Sequence, residues 1–339
     1  MFLPKKYDAV RIKTMEKSGF SSTFTIFLVI IGISVVMSLL KKEFFTLVNF
    51  VVIMEAFSIT ALVGLSQMVI IGAGGMNLSV GSIGGLAGII AGSLMDRFGV
   101  HTSVAILAGL CVGILCGTIN GLIIVRLGCS GVASFLVTLA TTSLFKGINQ
   151  GITNGMPFYN LQKGFLAIGN GNLLGIPILM WVMLVIAVVI GLGFAYTGLG
   201  RQILAVGGNI RSAELYGISV KRVIILANII SGLLSAIAAL LLVSRLGSAQ
   251  PDVGSDWMLF SFAAPLIGGT RLAGGKISTV GTVLGAILLA LISNVLVHLN
   301  VDVYWMTLIE GMIILASVGI ERIRAIGLER MQRKERESL

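Results

Sequence analysis

GGNIRSAELYGI, running from Gly207 to Ile218, is a short polar break between two long apolar stretches of the chain. Asn209 has a side chain suited to cap a helix start, Ile210 to Tyr216 make two turns, and Gly217 supplies a C-terminal stop. The spacing predicts one short helix lying outside the hydrocarbon. Ile210, Ala213, Leu215 and Tyr216 give it an apolar side suited to a groove on a partner, with Arg211 and Glu214 at the rim. The alternative is an amphipathic helix resting on lipid headgroups.

The stretches on either side set the class. The chain is 56% hydrophobic and only 11% charged, with a mean hydropathy of +1.02, too apolar for a soluble domain with its polar shell. A spanning helix needs about 20 apolar residues to cross roughly 30 Å of hydrocarbon, and such runs recur from Ser21 to Ile320. Reading them against polar breaks places spans near 21–40, 45–71, 78–95, 103–125, 131–149, 177–197, 222–244, 257–269, 277–299 and 303–320. The expected fold is all-α and polytopic, with about ten transmembrane helices. The second span is long and the eighth short, so either is a candidate for a broken or re-entrant helix.

A net charge of +10 would suggest nucleic acid in a soluble protein, but here the basic residues gather at the ends and in short loops, so no nucleic-acid partner is expected. Lys5, Lys6, Arg11, Lys13 and Lys17 precede the first span, and Arg322, Arg324, Arg330, Arg333, Lys334 and Arg336 follow the last. By the positive-inside rule both termini are cytoplasmic. Residues 1–20 then form a cytoplasmic N-terminus, 21–320 the membrane domain and 321–339 a cytoplasmic tail. Arg126, the segment 201–222, and Arg271 with Lys276 all fall on the cytoplasmic side, whereas Lys41 and Lys42 fall outside, against the rule. No small-residue cleavage site follows the first apolar run, which reads as a retained anchor. The largest external loop is expected from Gln150 to Ile176, and a second, Arg245 to Asp256, carries SAQPDVGSD.

GGMNLSVG at Gly74 to Gly81 echoes GGTRLAGG at Gly268 to Gly275 at four of eight positions. The echo suggests an internal repeat with interrupted helices, a common transporter plan; the alternative is two similar tight turns. Glycines at every fourth residue, Gly84, Gly88 and Gly92 and again Gly109, Gly113, Gly117 and Gly121, predict smooth helix faces for close packing.

Candidate functional residues are few. Glu55 and Glu310 are costly inside spans and call for partners or a wet cavity, which makes them candidates for the path. Arg126, Lys146 and Arg245 lie near span ends and are expected to snorkel. Asn120, Asn228 and Asn294 are expected to bond between helices. GGTRLAGGKIS superficially suggests a phosphate loop, but Thr270 stands where its first Gly belongs and Ile277 where a hydroxyl is needed, so the chain has no nucleotide site of its own. Cys111, Cys116 and Cys129 read as ordinary buried thiols. His101 and His298 are isolated, so no metal site is expected.

Five ordered strings resemble the permease subunits of bacterial ribose-type ABC sugar importers: GGMNLSVGS (Gly74–Ser82), NGLIIVRL (Asn120–Leu127), FLVTLATT (Phe135–Thr142), AVGGNIRSAELYGI (Ala205–Ile218), and SAQPDVG through IGGTRLAGGKISTVGTVLGAIL. The resemblance covers roughly Phe45 to Val318. It implies a ten-helix inner-membrane permease that pairs with a second permease subunit, docks a cytoplasmic ATP-binding subunit and receives solute from an extracytoplasmic binding protein. ATP and magnesium would be bound by the ATPase, leaving no cofactor in this chain. Coupling to the ATPase would rest on Gly207, Gly208, Asn209, Arg211, Ala213, Glu214, Leu215 and Gly217, with Asn77, Ser79, Glu55 and Glu310 as candidates for the path or gate.

The chain departs from the family where Asn77 replaces a usual Asp, Met258 and Phe260 replace frequent acidic residues, and Glu310 replaces a common Lys. These coupled changes of charge suggest a second, nonidentical permease as partner. Branched-chain amino acid permeases and ion-coupled secondary transporters are the alternative classes. An intramembrane enzyme has no matching constellation.

Overall fold

The computed structural model describes the backbone of residues 6–302 and part of 304–319, with side chains from Thr23 onward. Glu310 and the tail beyond residue 319 lie outside the described residues. The chain is built of helices α1 (Lys6–Leu40), α2 (Leu47–Gly72), α3 (Val80–Phe98), α4 (Thr102–Arg126), α5 (Gly131–Thr153), α6 (Lys163–Asn170), α7 (Ile178–Tyr196), α8 (Gly198–Gly208), α9 (Ile210–Leu215), α10 (Val220–Leu246), α11 (Trp257–Ile267) and α12 (Thr279–His298). A two-stranded hairpin, β1 (Asn172–Leu173) and β2 (Ile176–Pro177), precedes α7. Helices dominate because hydrocarbon cannot satisfy backbone polar groups, so each crossing segment must satisfy its own.

Seven described helical stretches are long and apolar enough to cross a membrane: Thr23–Leu40, α2, α4, α5, α7, α10 and α12. With the Gly-rich α3, the short α11 and helical residues between 304 and 319, the arrangement matches the expected ten-pass plan. The two doubtful spans resolve differently. The second is unbroken, 26 residues in α2. The eighth is 11 residues, about 16 Å of rise, or half the hydrocarbon. The long loop expected over 150–176 is largely structured, holding the end of α5, then α6 and the hairpin.

Non-helical backbone enters the packed core at two connections, 73–79 between α2 and α3 and 247–256 between α10 and α11. These are the matched halves of a duplication. α2 packs on α10, α11 and α12; α10 packs on α2, α3 and α4; and α3 rests on α4 as α11 rests on α12. Exchanging α2 with α10, α3 with α11 and α4 with α12 maps this set of contacts onto itself. The sequences agree with the exchange: GGMNLSVGS (Gly74–Ser82) aligns with GSAQPDVGS (Gly247–Ser255), identical at Gly74/Gly247, Val80/Val253, Gly81/Gly254 and Ser82/Ser255. The contacts and the strings agree with an internal repeat in which GGMNLSVG pairs with GSAQPDVG rather than with GGTRLAGG.

Gly81 and Gly254, which pair in this alignment, are in backbone contact. A Cβ on Gly81 would strike the Gly254 carbonyl, and one on Gly254 would lie 2.5 Å from the Gly81 carbonyl oxygen. The glycine faces of α3 and α4 pack as their spacing predicts: Gly113 meets Gly232, Gly117 meets Asn228, and Gly88 meets Val243.

Candidate functional site

The break at 207–218 folds much as its residues dictate. Asn209 caps α9, its Oδ1 accepting from the Ser212 N–H at 3.0 Å. Gly217, at φ 77°, ends the helix, donating to the Glu214 carbonyl at 2.9 Å while the Ile218 N–H donates to Ala213 at 3.0 Å. These bonds satisfy carbonyls that a helix end leaves open. The apolar residues of α9 do not share one side, contrary to the sequence reading. Ile210 and Ala213 turn inward to a cluster with Val206, Val220 and Val223, whereas Leu215 and Tyr216 are 89% and 87% exposed. Arg211 and Glu214 are exposed beside them. The inner pair holds the helix and the outer pair is presented.

The segment is joined to the membrane core through glycines. A Cβ on Gly207 would strike the Gly72 carbonyl and lie 2.8 Å from the Gly275 nitrogen; one on Gly274 would lie 2.6 Å from the Gly207 oxygen and 2.8 Å from the Gly74 Cα. The Gly275 N–H donates to the Gly72 carbonyl at 3.3 Å. Three of the sequence strings, GGMNLSVG, AVGGNIRSAELYGI and GGTRLAGG, thus meet backbone to backbone at the end of α2. The echo between the first and third marks a place where two chain segments converge.

Behind this joint, the 73–79 connection is sealed by polar side chains. Asn77 and Ser79 are 1% and 0% exposed. The Asn77 Oδ1 accepts from the Ser79 N–H at 2.9 Å and hydroxyl at 2.7 Å, and its Nδ2 donates to the Ser231 Oγ at 3.0 Å. Asn120 Nδ2 donates to the Ser79 Oγ at 2.8 Å. Ser66 bridges Ser231 and Ser235 at 2.9 and 3.0 Å. The Gln67 amide, oriented to match its neighbours, donates to the Asn77 carbonyl at 2.9 Å and accepts from its N–H at 3.2 Å. Sequence reasoning missed Ser66, Gln67, Ser231 and Ser235, since isolated hydroxyls in apolar helices give no signal until a second helix supplies the partner. Non-helical backbone survives at such a place only when the protein satisfies it.

Glu55 has its partner. Its Oε2 lies 2.8 Å from the Arg245 Nε, so the residue expected to snorkel neutralises the carboxylate expected in the path. Asn294 exchanges bonds with Asn49 at 2.7 and 3.2 Å, as expected of an interhelical amide, but Asn228 donates within its own helix, to Ile224. Of the cysteines, Cys116 is buried, Cys129 is half-buried and Cys111 is exposed on α4, against the expectation of three buried thiols.

One helix carries an unpartnered polar face. On α5, Ser143, Lys146 and Gln150 are exposed, and open space lies beyond Gly147 and Gly151. A membrane-spanning face of this composition does not suit lipid tails.

The profile described as "branched-chain amino acid transport system / permease component" matches residues 49–318. The chain is 34% identical to the ribose import permease protein of Haemophilus influenzae over 86% of its own length and 90% of the relative. It is 32% identical to the D-allose transport system permease protein of Escherichia coli over 93% and 97%, and 28% identical to the fructose import permease protein of Rhizobium meliloti over 93% and 90%. No solved structure matches.

Proposed function

Because the chain belongs to the family of branched-chain amino acid transport system permease components, a multi-pass subunit of the bacterial inner membrane, we propose that it carries a monosaccharide or similar small polyhydroxylated solute in an ATP-driven importer. The solute class rests on relatives named for ribose, D-allose and fructose that align over most of the chain. The same alignments disfavour a branched-chain amino acid.

The observation that carries the mechanism is the joint at Gly207. α9 offers Leu215 and Tyr216 to a partner, and just before it Gly207, in the last turn of α8, touches both Gly74 and Gly274. A push on α9 has no soft side chain to dissipate it before it reaches the 73–79 connection. ATP and magnesium are bound, and the ATP hydrolysed, by the separate ATPase subunit docked there. This chain converts that closure into alternating access, and an extracytoplasmic binding protein delivers the solute at the opposite end.

In this reading the domain plan is a cytoplasmic 1–20, a membrane domain 21–320 with coupling segment 201–222, and a cytoplasmic 321–339. Both termini and α9 are cytoplasmic. The polar face of α5 lines the path against a second permease, and the neutral Asn77, Met258 and Phe260 favour a nonidentical one. Asn77 and Ser79 act as the lock of the break, and Glu55 acts through Arg245.

The test is to isolate the tagged chain gently from its native membrane, identify copurifying subunits by mass spectrometry, and measure uptake of radiolabelled ribose, allose and fructose by the reconstituted complex. An ATP-binding subunit with ATP-dependent sugar uptake supports the reading. Leucine uptake, or sugar uptake driven by an ion gradient without the ATPase, overturns it. A single permease species in an active complex removes the heterodimer.

A further inference from the structure

At the end of α10 far from α9, two adjoining cavities of about 300 and 620 Å³ open around the 247–256 connection and share Gln250 and Asp252. We propose that this vestibule is a binding site for one monosaccharide, a station within the permease itself; the assignment of a sugar rests on the proposed function.

The backbone sets the shape. Successive turns, Val253 N–H to Gln250, Ser255 N–H to Asp252 and Trp257 N–H to Gly254, at 3.2, 2.9 and 3.1 Å, fix the spacing of the side chains that project from them. Paired bonds between Phe158 and Ala249, at 3.1 and 2.9 Å, pin the connection to the segment after α5. Asp252, Asp256, Gln250 and Thr60 then line the smaller cavity beside the half-buried rings of Trp257 and Phe260. The larger adds the amides of Gln150 and Asn154.

Neither the Asp252 nor the Asp256 carboxylate has a hydrogen-bond or ion-pair partner among the described residues, where Glu55–Arg245 is the one salt bridge. Two unpaired carboxylates beside an apolar bundle need donors, and water or a hydroxylic solute supplies them. Sugar hydroxyls donate charge-assisted bonds to carboxylates, amides both donate and accept, and an indole face covers the C–H side of a sugar ring. The smaller cavity is at the low end for small-molecule sites, sufficient for one ring. None of the residues lining either cavity is cationic. The ammonium of an amino acid could pair with these carboxylates, but its own carboxylate would find no cation in the lining, so the site suits a neutral polyol better than a zwitterion.

The floor also matters. Gly254 lines the smaller cavity and is the residue whose backbone meets Gly81. Whatever moves the 73–79 connection therefore moves the floor, so the site tightens or opens with the break.

The test is saturation-transfer difference NMR on the full chain in lipid nanodiscs, with D-ribose, D-allose, D-fructose and L-leucine as probes. At least one sugar is expected to receive saturation and leucine none. The double variant Asp252→Asn, Asp256→Asn, which keeps shape, is expected to weaken sugar binding about fivefold, the effect of losing one net hydrogen bond. Trp257→Leu removes the ring face and abolishes transfer, while Trp181→Leu on α7 retains it. Unchanged transfer in both Trp257→Leu and the carboxamide variant overturns the site, as does equal transfer to leucine. No transfer to any sugar, in a chain whose complex imports sugar by ATP hydrolysis, overturns the site and leaves the importer reading standing. Failure of sugar uptake itself overturns that reading instead.

Discussion

Gly217 shows how one backbone angle fixes an exposed surface. Its φ of 77° lies in the left-handed region, and a Cβ there would meet no atom within 4 Å, so any cost of substitution is conformational rather than steric. Asn visits that region far more readily than a β-branched residue. Gly217→Asn is therefore expected to keep ATPase coupling, while Gly217→Val costs roughly 2 kcal/mol or more locally, distorts the end of α9 and uncouples hydrolysis from uptake. Equal coupling in both variants would remove α9 from the mechanism. Cys129, just before α5, makes a second case. Burial pushes its thiol up, Lys221 pulls it back and Glu214 adds to the rise. The sign follows directly: a raised thiol holds less thiolate at a given pH, so maleimide labelling is slow near pH 8 and accelerates as pH rises. An impermeant maleimide should reach it from the cytoplasmic side alone; labelling from outside would reverse the proposed orientation.

Among the elements, α9 divides its work between its faces. Ala213 is 2% exposed and Leu215 89%, so Leu215→Asp with Tyr216→Asp is expected to leave detergent thermostability unchanged and abolish copurification of the ATPase. Ala213→Leu, by contrast, overpacks the cluster with Val220 and Val223 and lowers thermostability by about 1–3 kcal/mol. A double aspartate that still binds the ATPase would place docking elsewhere. The sequence alone located α9, its cap and its stop, because those are local chemistry. It did not separate its faces, since six residues are too few for periodicity to choose a side, and the neighbours that bury Ala213 come from α10. The long spans were legible because hydrocarbon thickness demands apolar length. The repeat was legible only as a suspicion: glycine-rich strings match cheaply, and the correct partner, GSAQPDVGS, shares its framework with GGMNLSVGS at positions whose meaning appears once Gly81 and Gly254 touch. Asn77 was legible as a departure from the family and Ser79 as a path candidate, yet their partners Ser66, Gln67 and Ser231 were not, because a buried polar cluster is a property of several helices at once.

For the whole molecule, the two connections form one device. The joint at Gly207 ties α9 to Gly74, the 73–79 connection runs from Gly74 to α3, and Gly81 at the start of α3 abuts Gly254 under the vestibule. Backbone contacts thus run from the segment carrying α9 to the floor of the vestibule, and the seven residues from Gly74 to Gly81 span at most about 25 Å of that path. Physical continuity alone does not establish coupling, which requires that both ends bias one two-state element. Mutation tests that point directly. Gly81→Ala and Gly254→Ala each force the two backbones apart at the same contact, and at Gly254, with φ 82°, the added Cβ also strains the backbone. Each is expected to leave basal ATPase activity intact and to reduce its stimulation by solute-loaded binding protein about tenfold, equivalent to 1.4 kcal/mol of lost coupling. The double variant should then cost little more than either single one, since the gap opened by the first Cβ accommodates the second. Additive losses would mean that the two glycines act in separate places, and unchanged stimulation would confine the break to a structural role.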